Sequence, residues 1–187
     1  MIRGHGLRLM DDNLKLVPGR ECGACTACCV VLAIDDPALT KPAGTACQNC
    51  TGTGCGIYAS RPETCREFVC EWRRLTLLDE DWRPDLSGVL ITGRGLIDEA
   101  GEDIDAYVMT IFASHDVIYD KGFATLVAVV VDQGREVILS FPAPDYSGTW
   151  EIPLRQFVAP GVAAGSLAQV GEGIRLAHAR IQFKAKR

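Results

Sequence analysis

The chain has 187 residues, 48% of them hydrophobic and 23% charged, with a formal net charge of −5. That length suits one compact domain with at most a small appendage, and the apolar content argues against a wholly disordered chain. The acidic balance disfavours nucleic-acid binding through a general basic field.

In chain order, residues 1–21 read as a mixed lead with a short apolar pattern at Leu14, Leu16 and Val17. No apolar signal core lies between Met1 and Arg20. Residues 22–74 hold every cysteine. There, Val30 to Ile34 reads as a strand or extended segment. Pro37 to Cys55 reads as loop, given Pro37, Pro42, Gly44, Gly52 and Gly54. Ser60-Arg61-Pro62-Glu63 has the form of a capping box, so a helix is expected from Ser60. Cys65, Phe68, Val69 and Trp72 would then share one inward face.

Residues 75–187 contain no cysteine. Val89 to Thr92 reads as a strand, Asp98 to Asp105 as an acidic loop and Ala106 to Phe112 as a second strand. Phe123 to Val131 is the longest apolar stretch, too short for a bilayer, which takes ~20 residues. It is expected to be a helix reaching Asp132 and closed by Gly134. Val137 to Phe141 follows as a strand ended by Pro142 and Pro144. Trp150 to Ile152 forms another, stopped by Pro153. Ser166 to Phe183 has helical spacing at Leu167, Val170, Ile174 and Ala177, interrupted by Gly171 and Gly173. The expected fold class is α+β, with a loop-rich, metal-organised cysteine module packed on a small mixed region.

The nine cysteines lie between Cys22 and Cys70. With no signal sequence the expected compartment is the reducing cytoplasm, where structural disulfides are rare and clustered cysteines bind metal or do redox chemistry. Cys22-Gly-Ala-Cys25-Thr-Ala-Cys28-Cys29 opens the set. A two-residue gap lets two thiolates turn toward one metal while backbone N–H groups support the sulfurs, a half-site used by zinc and by iron–sulfur clusters. Cys47-Gln-Asn-Cys50 is a second such pair, and Cys55, Cys65 and Cys70 complete the candidates. Adjacent side chains such as Cys28 and Cys29 are expected to diverge. Cys65 and Cys70 are ~140° apart on an ideal helix, so they share a metal only where the helix ends between them. No histidine lies between Cys22 and Cys70, so ligation there is all-thiolate. Nine thiols suffice for two four-sulfur sites with one spare, or for one site with several structural thiols. The metal is zinc or iron, with an iron–sulfur centre preferred on cysteine density and Cys47 the expected spare.

The order Cys22 to Cys29, Cys50, Cys55-Gly56-Ile57-Tyr58 and Arg61-Pro62-Glu63-Thr64-Cys65-Arg66-Glu67-Phe68-Val69-Cys70 resembles the YkgJ-type cysteine-cluster family, a zinc- or iron-chelating domain. The resemblance covers residues 22–74. It implies metal chelation. Because the family includes proteins similar to flagellin lysine methylases, it also admits a protein-lysine methyltransferase or a redox enzyme. The family typically has eight cysteines, so one of Cys47 and Cys50 is extra. No motif places residues 75–187, which are expected to be a scaffold or a surface for a protein partner.

Other candidates carry less. Arg20, Arg61, Arg66, Arg73 and Arg74 flank the cysteines and would offset the negative charge of a thiolate site. Ser114-His115-Asp116 is contiguous and so is no triad. His5 and His178 stand alone. Gly93-Arg94-Gly95 lacks the spacing of a phosphate or dinucleotide loop, and nothing resembles an S-adenosylmethionine loop. Asp98, Glu99, Glu102, Asp103 and Asp105 lack calcium-loop spacing. Arg175, Arg180, Lys184, Lys186 and Arg187 read as a solvated basic helix end.

Overall fold

The structure is a computed structural model that describes residues 15–97, 101, 103–143 and 148–185. The chain folds as α+β. Its centre is a four-stranded sheet of β3 (Val89–Ile97), β4 (Asp103–Ile111), β5 (Glu136–Pro142) and β6 (Thr149–Pro153), in that spatial order. β3 and β4 pair antiparallel with Gly93 opposite Tyr107, and β5 and β6 antiparallel with Ser140 opposite Glu151. β4 and β5 are parallel, with Val108 opposite Ile138. A parallel pair needs a crossover, and α4 (Lys121–Asp132) supplies it.

α4 shows why its sequence is helical. Asp120 caps it, accepting from the Gly122 N–H at 2.6 Å. Phe123, Leu126, Val127, Val130 and Val131 fall on one buried stripe. Gly134, at φ 82°, ends it while its N–H bonds the Val131 carbonyl. One face of the sheet meets this stripe through Val89, Ile91, Tyr107, Met109, Val137, Leu139 and Phe141. α6 (Leu167–Ala185) adds Val170, Ile174, Ala177 and Ile181 to the same core.

α5 (Arg155–Ala163), with Pro160 inside it, lies in a stretch for which no element was expected. The buried Glu136 holds its start by accepting from the Arg155 N–H at 3.1 Å. Gly161 and Gly173 are the close-contact points between α5 and α6. A Cβ on Gly161 would lie 2.7 Å from the Val170 nitrogen. The glycines that weaken α6 as an isolated helix therefore allow its packing.

The expected strands and the helices at 121–132 and 167–185 are present, with shifted ends. β3 runs five residues past Thr92 because Gly93-Arg94-Gly95 pairs with Asp105, Ala106 and Tyr107. The expected acidic loop gives way to strand from Asp103 onward. Asp98, Glu99 and Glu102 lie outside the described residues, as do Leu14, His5, Pro144, Lys186 and Arg187.

The cysteine-bearing segment departs more. Val30 and Val31 end a short helix, α1 (Ala27–Val31), which buries Ala27 and Val31 one turn apart. The extended run starts only at β1 (Ile34–Asp36), which pairs with β2 (Leu39–Lys41) inside the stretch expected to be loop. The Asp36 carboxylate turns the chain past Pro37 by accepting from the Ala38 N–H at 2.9 Å. The capping box at Ser60 does not form. Ser60 closes a 3₁₀ turn over Tyr58–Ser60, its hydroxyl donating back to the Ile57 carbonyl at 3.5 Å. α2 spans only Glu63–Glu67, starting after Pro62 and ending at an extended Phe68.

Candidate metal centre

The two Cys-x-x-Cys segments fold into the same local turn. The Cys25 N–H bonds the Cys22 carbonyl at 2.8 Å, and the Cys50 N–H bonds the Cys47 carbonyl at 2.9 Å. In the second turn the Asn49 N–H donates to Cys47 Sγ at 3.4 Å. The amide of Ala27 likewise faces the Cys25 sulfur, and those of Trp72 and Arg73 face that of Cys70. An N–H directed at sulfur favours the thiolate.

Three connections draw an inner group together. The Cys47 N–H bonds the Cys29 carbonyl at 2.9 Å, and Cys50 and Cys55 form an isolated antiparallel bridge. Cys29, Cys50 and Cys65 pack on the small core of Ile34, Leu39 and Cys47. Cys28 joins through Cys29: both lie on α1, and the Cys28 thiol is close enough to raise that of Cys29, so the two do not diverge as expected. Cys70 is turned the other way. It packs against the main core and lies near Cys22 and Cys25. The octapeptide thus sends Cys28 and Cys29 to the inner group and Cys22 and Cys25 toward Cys70, while all four border one cavity with Cys47, Cys55 and Cys65.

α2 stops before Cys70, so the helical constraint on Cys65 and Cys70 is absent, yet the two join different groups. Cys65 also does not share an interior with Trp72, which belongs to the main core. Among the described residues, no three cysteine, histidine, aspartate or glutamate side chains stand close enough together to hold a metal ion as placed. The donors are of the right kind and most of them border one cavity, and their sulfurs are not closed around a point.

All nine thiols are unpaired. Burial pushes the Cys25 thiol up, and it pushes Cys70 up to about 11. The hydrogen bond from Cys28, with burial added, raises Cys29 strongly, and burial raises Cys65. In the metal-free chain these groups keep their protons.

The cation beside the inner group is one the sequence did not single out. Lys41 is 6% exposed, and its Nζ donates to the carbonyls of Val30 (3.2 Å), Leu32 and Pro42 (3.1 Å). It fixes the end of α1, and Cys29, Cys47, Cys28 and Cys65 feel its charge. The flanking arginines mostly do other work. Arg20 donates to the carbonyls of Trp72, Leu75 (2.9 Å) and Leu78 and lies over the Trp72 ring. Arg73 donates to the Arg20 carbonyl at 3.1 Å, so these two strap the lead to the segment after Cys70. Arg66 donates to the Arg61 carbonyl at 2.5 Å, and Arg61 stacks on Tyr58.

The remaining candidates are structural. His178 is buried on Phe141, its Nδ1 2.6 Å from the Tyr119 hydroxyl. His115 also lies against Phe141. Arg175 pairs with Glu172 at 3.4 Å. Among the described residues, no helix is long and apolar enough to cross a membrane.

Compared with family models, curated proteins and solved structures, the chain matches none. The resemblance of residues 22–74 to the cysteine-cluster family therefore rests on cysteine order and spacing.

Proposed function

We propose that the chain is a metal-binding protein that holds zinc or iron through cysteine thiolates, as a relative of the YkgJ-type proteins in a reducing, cytoplasmic setting. The observation that carries this is the matched pair of Cys-x-x-Cys turns, one with a backbone N–H on its sulfur. Buried cysteines that serve only as small apolar residues need no such turn, whereas thiolate ligands gain from it. Cys29, Cys47, Cys50 and Cys65, with Cys28 and Cys55 beside them, are the inner donors. Cys22, Cys25 and Cys70 are the outer ones, with Asp85 next to Cys25. Cys47 belongs among the ligands in this reading, because its sulfur is buried with the inner group and already accepts a hydrogen bond. An all-sulfur donor set suits zinc and iron–sulfur centres alike; cysteine density favours the iron–sulfur centre. Residues 75–187 serve as the scaffold.

The test is strictly anaerobic, iron-replete purification, followed by metal counting per chain and a visible absorption spectrum. Bound iron with sulfide-to-iron absorption is expected. Colourless protein loaded with zinc overturns the iron preference alone. A chain without bound metal, which takes up neither zinc nor iron on reconstitution, overturns the reading. Cys47→Ser and Cys65→Ser should each lower metal content, and retention of full content by both refutes the inner donor set.

A further inference from the structure

The outer thiols Cys22, Cys25 and Cys70 are one donor short of a tetrahedral metal site. A fourth donor stands beside them, outside the cysteine segment. Asp85, in the short helix α3 (Pro84–Ser87), turns both its carboxylate and its backbone N–H toward the Cys25 sulfur. Arg83 clamps that carboxylate, Nε to Oδ1 at 2.7 Å and Nη2 to Oδ2 at 3.1 Å. A carboxylate has about four lone-pair positions on its two oxygens, so the clamp leaves each oxygen able to meet another partner. Carboxylates that ligate metals are themselves hydrogen-bonded, which fixes their orientation.

The four donors come from three separate stretches of chain, and side chains outside the set hold those stretches together. Arg20, just before Cys22, donates to the carbonyls of Trp72, Leu75 (2.9 Å) and Leu78. Arg73 donates back to the Arg20 carbonyl at 3.1 Å. The Trp72 indole N–H closes the next loop on the Asp79 carbonyl at 2.9 Å. Backbone amides support the sulfurs: those of Ala27 and Asp85 face Cys25, and those of Trp72 and Arg73 face Cys70. Cys22 and Cys25 border the cavity shared with the inner thiols, whereas Cys70 and Asp85 do not. As placed, no three of these donors are close enough to hold an ion, so binding must draw them inward within this frame.

We propose that Cys22, Cys25, Cys70 and Asp85 are the ligands of a separate mononuclear centre for a zinc-like divalent ion, with the carboxylate as its fourth donor. The inference rests on the metal reading above and extends the outer set from sulfur alone to sulfur and oxygen. On binding, the three thiols release their protons. Three thiolates and a carboxylate outweigh the charge of a divalent ion, and Arg83, which feels Cys25 as well as Asp85, offsets the excess.

Cobalt(II) is the probe, because it occupies zinc sites and its visible bands report how many sulfurs surround it. The full-length, reduced, metal-free chain is titrated anaerobically, and an affinity is read for each equivalent. Asp85→Asn should weaken one equivalent by at least about tenfold, the lower end for losing even a hydrogen-bond partner of a ligand, and leave any others unchanged. Cys70→Ser should weaken the same equivalent. Asp85→Cys should keep that equivalent and move its bands to longer wavelength, as a fourth sulfur replaces oxygen. A purely structural Asp85 would give no such shift. Should Asp85→Asn fail to fold, the Asp85→Cys spectrum decides. Unchanged affinity in Asp85→Asn, or unshifted bands in Asp85→Cys, overturns the proposal and leaves the wider metal reading standing. A parent chain that takes up no metal overturns both.

Discussion

Gly171 and Gly173 sit two residues apart in α6, and the structure predicts opposite consequences for replacing them with alanine. In an exposed helix interior, glycine costs roughly 1 kcal/mol relative to alanine. At Gly171 an added Cβ meets nothing nearer than the tip of Arg175 at 3.9 Å. Gly171→Ala should therefore stabilise by about that 1 kcal/mol. At Gly173 an added Cβ would lie 2.3 Å from the Phe157 carbonyl oxygen and 2.8 Å from its carbon. Those atoms are backbone of α5, so relief requires the two helices to part by about 1 Å, judged against ordinary contact at 3.4 Å and beyond. Overpacking of this kind costs about 1–3 kcal/mol and occasionally more. After the propensity gain is set against it, Gly173→Ala should be destabilising by about 2 kcal/mol, the upper end, because the clash is with backbone. For a chain of this size 1 kcal/mol moves the melting temperature by about 2–4 °C. Thermal melts of both variants and the parent, followed by circular dichroism, give the comparison. If Gly173→Ala melts at or above the parent, or the two variants shift together, the close packing of α5 on α6 is refuted.

Two further predictions concern the cysteine segment. Burial lifts Cys70 from an ordinary thiol value of 9.0 to about 11. The unfolded chain thus ionises first, and the metal-free protein should lose stability as pH rises from about 9 through 11, with no effect of this group below 9. Urea melts across that range should show a shallower loss in Cys70→Ser; equal slopes would rule out Cys70 as the source. Lys41→Met leaves the carbonyls of Val30, Leu32 and Pro42 without their buried donor, a loss of about 1–3 kcal/mol for a stranded polar group. The end of α1 should loosen, with faster thiol labelling at Cys28 and Cys29 by mass spectrometry; unchanged rates would show that Lys41 does not hold that helix.

How much was legible depended on whether a signal was local. The α4 stripe carries its own cap, its own apolar spacing and its own terminating glycine, so its type and end could be read directly. The strands of the sheet core were equally plain, because both their faces are largely buried and the runs are apolar. α5 was missed because its own sequence, with Pro160 and Gly161 inside it, carries no helical signal strong enough to stand without tertiary contacts. Glu136 at its start and the backbone of α6 against Gly161 are long-range facts. Ser60-Arg61-Pro62-Glu63 misled for the converse reason. A capping box stabilises a helix that is otherwise favoured, and here the chain turns at Phe68 toward two cores instead of continuing along one face.

The candidate site divides along the same line. Cysteine identity and spacing are written in sequence, and so is the expectation that a two-residue gap makes a turn with amides on sulfur. The partition of the thiols is not. Cys25 and Cys28 have the same spacing as Cys22 and Cys25, yet only the latter share the turn closed by the Cys25 N–H, because α1 begins at Ala27 and carries Cys28 and Cys29 toward Cys47 and Cys65. Lys41 sits in β2 among residues that read as loop, and nothing in its neighbours marks it as buried. Its ammonium anchors the helix that presents two of the inner sulfurs, and its charge offsets theirs. A lysine at that position lowers the electrostatic cost of gathering thiolates in one place, and of the flanking arginines Arg61 adds to this at Cys65 while Arg20 and Arg73 strap the chain.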